Sequence, residues 1–138
     1  MDYHVNSLFP DLLNFGILSS VILRLVLGLI FINLGYLKLT GERISWVRFL
    51  RIVRVPQARL VNSIIGLVEI IGGLMLIAGL YTQGVAIVFG LLALIQISIE
   101  SLEDDLIKRD FVFYFMIIAI CLSLLLTGPG VLALDLPL

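Results

Sequence analysis

Charged side chains inside long apolar stretches are the first candidates for chemistry. Arg24 is the one charge between Leu12 and Leu37, and Glu69 is the one charge between Leu60 and Ile99. If an apolar stretch of this kind crosses a membrane, an ionisable group within it is costly and is a functional candidate by default. The alternative is an ion pair that only fixes the register of two helices.

Four further polar side chains form a second candidate site. Gln96 and Glu100 are four residues apart, as are Asp110 and Tyr114, so each pair lies on one helix face. Antiparallel packing would bring the four together in one half of the protein. Such a patch could bind a lipid headgroup or a quinone ring, or conduct protons. It could equally be the solvated rim of a helix bundle.

The composition indicates which class of protein carries these groups. Hydrophobic residues make up 61% of the 138 residues and charged residues 14%, whereas a soluble domain has about 25% charged residues. The same numbers exclude a disordered chain. One cysteine and one histidine exclude a disulfide scaffold and a structural zinc site, and a net charge of −1 gives no reason to expect nucleic acid. We therefore predict an integral membrane protein that forms one transmembrane domain over residues 1–138, with no metal site.

Four apolar stretches are predicted to be transmembrane helices, each of which needs about 20 residues. The stretch from Leu60 to Ile99 is too long for one crossing, and the glycine-bounded polar segment 79–84 interrupts it. The predicted fold is all-α, an integral membrane four-helix bundle. Its helices are expected at about 16–39, 60–80, 84–103 and 109–128.

A short amphipathic helix is predicted between helices 1 and 2, over about 44–55. Arg48, Arg51 and Arg54 recur every three residues, and Trp46 and Phe49 belong to its apolar face. These five residues could hold the helix at the membrane surface against anionic headgroups. The alternatives are a connector whose arginines only snorkel, and a docking surface for a partner subunit.

The distribution of basic residues predicts the orientation. Six of the nine Lys and Arg residues fall at the end of helix 1 and in the loop after it, and two fall between helices 3 and 4. The positive-inside rule places both loops in the cytoplasm and both termini outside. We expect a multi-pass protein of the cell (inner) membrane, with the lipid bilayer as its first partner.

Glycines lie on the same helix faces as the charges. Arg24 and Lys38 share a face of helix 1 with two glycines, and Glu69 lies within a similar stripe on helix 2. Small residues let two helix backbones approach closely in lipid. The predicted packing positions are Gly28, Gly35, Gly66, Gly72, Gly73 and Gly79.

Arg24 and Glu69 therefore point into the predicted bundle. If both helices are centred in the membrane, the axial gap between the two residues is about 6 Å, which an arginine can span. A direct pair would satisfy both groups where no water is present. We predict such an Arg24–Glu69 ion pair, with Lys38 as a further charge on the same face.

Three short motifs resemble the DoxX-like family of small four-helix membrane proteins. Helix 1 carries the pattern R-x3-G-x6-G-x2-K from Arg24 to Lys38, and helix 2 carries GLVEIIGG over 66–73 with a central glutamate. The closing segment is similar to the family's G-P-G-x-L-S-L-D. Its matching residues here are Gly128, Pro129, Gly130 and Asp135, whereas Ala133 replaces the usual serine and Val131 the frequent arginine.

The resemblance implies a four-helix membrane bundle and a link to quinone-dependent oxidation, membrane redox complexes, quinone stress or amine-dehydrogenase maturation. The favoured function is thus an accessory or membrane subunit of a quinone-linked redox system that is not catalytic alone. No cofactor is expected within this chain except a quinone, and the expected partners are other membrane or redox subunits or a second copy. The alternatives are a non-redox subunit that assembles or anchors a complex, and a small transporter or lipid-handling protein. Candidate quinone contacts are Arg24, Lys38, Glu69, Gln96 and Tyr114.

Overall fold

The computed structural model describes residues 16–100, 111–130 and 133–134, and these residues form five α-helices with no β-strand among them. The predicted all-α fold is confirmed. Two predicted helix ends, at residues 103 and 109, lie outside the described residues. The helices are α1 (Gly16–Leu39), α2 (Arg43–Ile52), α3 (Ala58–Ala78), α4 (Thr82–Glu100) and α5 (Phe111–Thr127).

The outer surface of the helices is apolar. Helices α1 and α3 are long and apolar enough to cross a membrane, while α4 and α5 provide shorter apolar segments. Large hydrophobic side chains are more than half exposed on all four helices, which in water would be an extensive apolar patch. They include Ile22, Leu29, Leu67, Leu74, Leu91, Ile95, Phe115 and Leu126.

The most extensive contact between two helices is that of α1 with α3. A Cβ atom added to Gly28 would lie 2.7 Å from the carbonyl oxygen of Gly73, and one added to Gly73 would lie 2.6 Å from that of Gly28. Gly35 and Gly66 meet in the same way, backbone against backbone. These four glycines thus set an antiparallel register, in which residue 28 faces 73 and residue 35 faces 66.

A single apolar core joins α1 and α3 to α4 and α5. The ring of Phe31 stacks on that of Phe89 with centroids 3.6 Å apart, and the absence of a side chain at Gly72 leaves room for the Phe89 ring. Helix α5 packs mainly on α4 and contributes buried residues that include Tyr114 and Cys121.

Helix α2 buries its apolar face against the protein itself. Trp46 and Phe49 are each 3% exposed, and the cluster that contains Phe49 includes Ala58 at the start of α3. These two side chains were expected at the membrane surface, and this placement corrects that expectation. An amphipathic helix needs only an apolar surface to cover, and the start of α3 provides one. The arginines of α2 remain exposed.

Short connections with positive φ angles lie at both ends of α3. Helix α2 ends at Ile52, before Pro56, and the chain then turns through positive φ angles at Arg54 and Gln57. At its other end α3 stops at Gly79, which has a φ of 71° and whose N–H donates to the carbonyl of Leu76. This left-handed C-cap favours glycine, because a side chain there is strained.

Replacing Gly73 by alanine tests the close packing of α1 on α3. The added methyl group would meet backbone that cannot move aside, so we expect Gly73→Ala to lower the free energy of unfolding by about 1–3 kcal/mol. Gly84→Ala is the matched control, because nothing lies within 4 Å of a Cβ there. The control should leave stability unchanged or raise it by up to about 1 kcal/mol. Reversible unfolding in detergent, followed by circular dichroism, provides the measurement, and equal effects of the two substitutions would contradict the register.

Candidate functional site

A buried carboxylate on α3 is the centre of the candidate site. Glu69 is fully buried, and its Oε1 atom forms a salt bridge with Nζ of Lys38 on α1, which is also fully buried. The Gln96 side chain on α4 donates from Nε2 to the same Oε1 atom over 2.7 Å. One carboxylate therefore connects three helices.

The lean of helical side chains explains why Lys38 reaches Glu69. In the glycine register Lys38 faces Ser63, six residues or about 9 Å from Glu69 along the axis. Cα–Cβ bonds in a helix tilt toward its N-terminus. Because α1 and α3 are antiparallel, the Lys38 and Glu69 side chains lean toward each other and close this gap.

Arg24 lies elsewhere, so the expected direct contact with Glu69 is corrected. In the same register Arg24 faces Ile77, eight residues or about 12 Å from Glu69, and the two side chains lean apart. The Arg24 guanidinium lies against Gly79, where an added Cβ would overlap Nη1. Arg24 is nonetheless 2% exposed, so its side chain points inward as predicted, at the far end of α3.

Lys38 is also enclosed from the side of α2. Its Nζ atom lies 4.5 Å from the centre of the Trp46 ring, a cation–π distance. Trp46 in turn donates from Nε1 to Glu42 over 3.2 Å, and Asn62 donates from Nδ2 to the backbone carbonyl of Lys38 over 2.8 Å. We call Lys38, Glu69, Gln96, Asn62 and Trp46 the buried polar network.

The network neutralises its own charge. An isolated carboxylate or ammonium in an apolar interior is very costly, and removing one member of a buried pair destabilises a protein by about 3–5 kcal/mol. The amide of Gln96 donates a further hydrogen bond to the carboxylate. The arrangement can therefore keep Glu69 charged, or pass a proton between its members, without contact with water.

The remaining candidates of the second polar patch are placed differently. Tyr114 is buried in the apolar core with its ring edge-on to Phe113, and their centroids are 5.5 Å apart. The Glu100 side chain and Asp110 lie outside the described residues. Gln96 is the member of that patch that donates a hydrogen bond to Glu69.

The described residues of the closing segment contact the start of α1 and the end of α3. The Ser20 hydroxyl donates to the carbonyl of Gly128 over 3.0 Å, and the Cα atom of Ala133 lies 2.7 Å from where a Cβ on Gly79 would stand. Gly128 and Gly130 both have positive φ angles, 72° and 71°, which suits glycine at these positions. Pro129 lies between them, and Asp135 is outside the described residues.

The sequence did not predict two members of the network: Asn62 was not named as a site residue, and Trp46 was expected at the membrane surface. Asn62 has a detectable signal, since it lies on the Glu69 stripe four residues before Gly66. The contact of Trp46 with Lys38 has none, because it depends on how α2 folds back onto α1 and α3. Among the described residues, no three His, Cys, Asp or Glu side chains are grouped so that they could hold a metal ion.

These features define an all-helical membrane protein with a closed polar network between its helices. A family model described as DoxX matches residues 19–99, more than half of the chain. The chain belongs to the DoxX family, as the helix 1 and helix 2 motifs predicted; the closing motif lies beyond the matched residues. Comparison with curated proteins and with solved structures finds no match.

A pair of double-mutant cycles tests which cation serves Glu69. Lys38→Met and Glu69→Leu should each cost about 3–5 kcal/mol of unfolding free energy, because each leaves a buried charge without its partner. The double variant should cost much less than the sum. The control cycle combines Arg24→Met with Glu69→Leu, and its two effects should add to within about 0.5 kcal/mol. Additivity in the Lys38 cycle, or strong coupling in the Arg24 cycle, would contradict the assignment.

Proposed function

We propose that this chain is an accessory membrane subunit of a quinone-linked redox system and does not catalyse electron transfer alone. The observation that carries the proposal lies within the buried polar network, where contacts among Lys38, Glu69 and Gln96 join three helices. Purely structural bundles in lipid can pack through small residues alone, as α1 and α3 do at their glycines. Because the glycine contact is sufficient for packing, the buried charged residues beside it indicate a further, chemical role.

The residue types of the network suit a quinone. Lys38 and Gln96 carry hydrogen-bond donors that could hold quinone carbonyls, and Glu69 is a proton acceptor for the reduced form. A further acceptor is available, because Asn62 Oδ1 is buried and no described residue donates to it. Quinone supplies two-electron, two-proton chemistry when bound, and the other electron carriers would belong to partner subunits.

The network is closed in the described conformation. Lys38, Glu69, Asn62 and Gln96 are all between 0 and 4% exposed. Helix α4 brings in Gln96 and packs mainly on α5, whereas α1 packs mainly on α3. A quinone ring would therefore enter by separation of α4 from α3, with the α1–α3 pair held together by its glycines.

The proposal includes four membrane crossings by α1, α3, α4 and α5. Helix α5 has 17 residues, the lower limit of what spans a bilayer. The exposed large hydrophobic side chains on all four helices support the same arrangement. The basic loop would lie in the cytoplasm and the turn between α3 and α4 outside, as the positive-inside rule requires. Helix α2 would then lie at the cytoplasmic interface.

Labelling of two introduced cysteines tests this orientation. Gly41 and Gly84 both have room for a side chain and lie at opposite ends of the helices. In a Cys121→Ala background, a membrane-impermeant maleimide added to intact cells should label Gly84→Cys. Gly41→Cys should react only after the membrane is opened. The reverse pattern would contradict the orientation, and labelling of both from one side would contradict the crossings.

Quenching of tryptophan fluorescence tests quinone binding. Trp46 is the one tryptophan of the chain and lies against Lys38, so a quinone held by the network should quench its emission. We expect saturable quenching by a short-chain ubiquinone, and an apparent Kd raised about tenfold in Gln96→Leu through loss of one hydrogen bond.

The matched control is Ser98→Ala, an exposed position on the same helix, which should titrate like the original protein. Quenching that does not saturate, or that is unchanged in both Gln96→Leu and Glu69→Gln, would remove the quinone from the proposal. Copurification of stable protein partners without quinone binding would then favour a non-redox role in assembly.

A further inference from the structure

Five exposed arginines lie at the end of the protein formed by α2 and the start of α3. None of them forms a salt bridge with an acidic side chain among the described residues. Segment 42–59 contains these five arginines and one acidic residue, Glu42, whose carboxylate accepts a hydrogen bond from Trp46. The excess of arginine gives this end of the protein a concentrated positive potential. The five arginines are Arg43, Arg48, Arg51, Arg54 and Arg59.

Four of these arginines line one groove; Arg48 lines one of its two cavities, and the other three line both. Two cavities, of about 790 and 490 Å³, open at this end of the protein, and Arg43, Arg51 and Arg59 line both of them. Arg43 and Arg51 come from α2, whereas Arg59 comes from α3. The convergence is therefore a product of the tertiary fold. We call this surface the arginine groove.

The start of α3 adds to the positive potential of the groove. The first turn of α3 contains no acidic residue, and Gln57 at the N-cap position makes no side-chain hydrogen bond to it. A helix N-terminus carries a partial positive charge, so the placement of Arg59 in this first turn is unfavourable by itself. A bound anion would offset both the arginines and the helix end.

Apolar side chains in the same groove indicate that the anion belongs to an amphiphile. Ile44 is 75% exposed and Leu60 is 55% exposed, and each lines one of the two cavities. A free phosphate ion would leave these side chains in water. A lipid would cover them with its glycerol backbone and acyl chains while its phosphate met the arginines.

We propose that the arginine groove binds the phosphate headgroup of an anionic membrane lipid, with Arg43, Arg51 and Arg59 around the phosphate and Ile44 and Leu60 against the apolar part. Guanidinium groups suit this ligand, because they form paired hydrogen bonds to phosphate oxygens. The proposal does not depend on quinone binding.

Binding of short-chain lipids to the purified full-length protein tests the groove. We expect native mass spectrometry in detergent to show one dihexanoyl-phosphatidylglycerol bound more tightly than dihexanoyl-phosphatidylcholine. Arg51→Gln should weaken phosphatidylglycerol binding about tenfold, through loss of charged hydrogen bonds. Arg54→Gln is the matched control, because it removes the same charge three residues away but lines neither cavity. It should change the affinity by less than about twofold.

Several other results of these binding experiments would contradict lipid binding in the arginine groove. Equal losses in Arg51→Gln and Arg54→Gln would show diffuse attraction and overturn the groove. Inorganic phosphate that displaces the lipid at an equal concentration would show a site for the free ion, and displacement by a polyglutamate peptide would show a protein-docking surface. If Arg51→Gln does not fold, Arg59→Lys should weaken binding, since it retains the charge but loses the paired hydrogen bonds; unchanged binding in that variant would also overturn the proposal.

Discussion

The carboxylate of Glu69 must be neutralised because it is fully buried among the helices, and the packing of three helices reflects this constraint. Lys38 supplies the opposite charge from α1, and Gln96 supplies a hydrogen bond from α4. Lys38, Glu69 and Gln96 are all buried, so solvent cannot replace either partner of the carboxylate. The relative positions of α1, α3 and α4 are therefore coupled through one oxygen atom, Oε1 of Glu69.

Glycine makes this arrangement geometrically accessible. Lys38 and Glu69 start about 9 Å apart along the helix axes, and only a close antiparallel contact allows both side chains to lean together. Gly28 and Gly35 on α1, with their partners on α3, allow that approach. The residues of the family motifs therefore act together: the glycines set the helix register, and this register allows Lys38 and Glu69 to pair.

The two ends of the molecule differ in chemistry. At the α2 end, exposed arginines surround cavities and Trp46 covers the buried Lys38. At the other end, Arg24 is buried against Gly79, and the segment after α5 folds over it. Helix α2 therefore contributes Trp46 to the buried polar network and also contributes two arginines, Arg43 and Arg51, to the arginine groove. A lipid bound in that groove would lie one helix away from Lys38.

Composition and periodicity were enough to predict the membrane class, the helical elements, the amphipathic pattern of α2 and the inward faces of α1 and α3, because these are local properties of the chain. The sequence also identified Glu69, Lys38 and Gln96 as candidates. The pairing of Glu69 with Lys38 and the position of Arg24 at the far end of α3 became visible in the folded protein. Which side chains meet depends on the axial register of the two helices, which the facing glycines set, and on the direction in which side chains lean. Centring both helices in the membrane does not give this register. The burial of Trp46 was likewise a tertiary outcome, since an apolar helix face fits a protein surface as well as a lipid one.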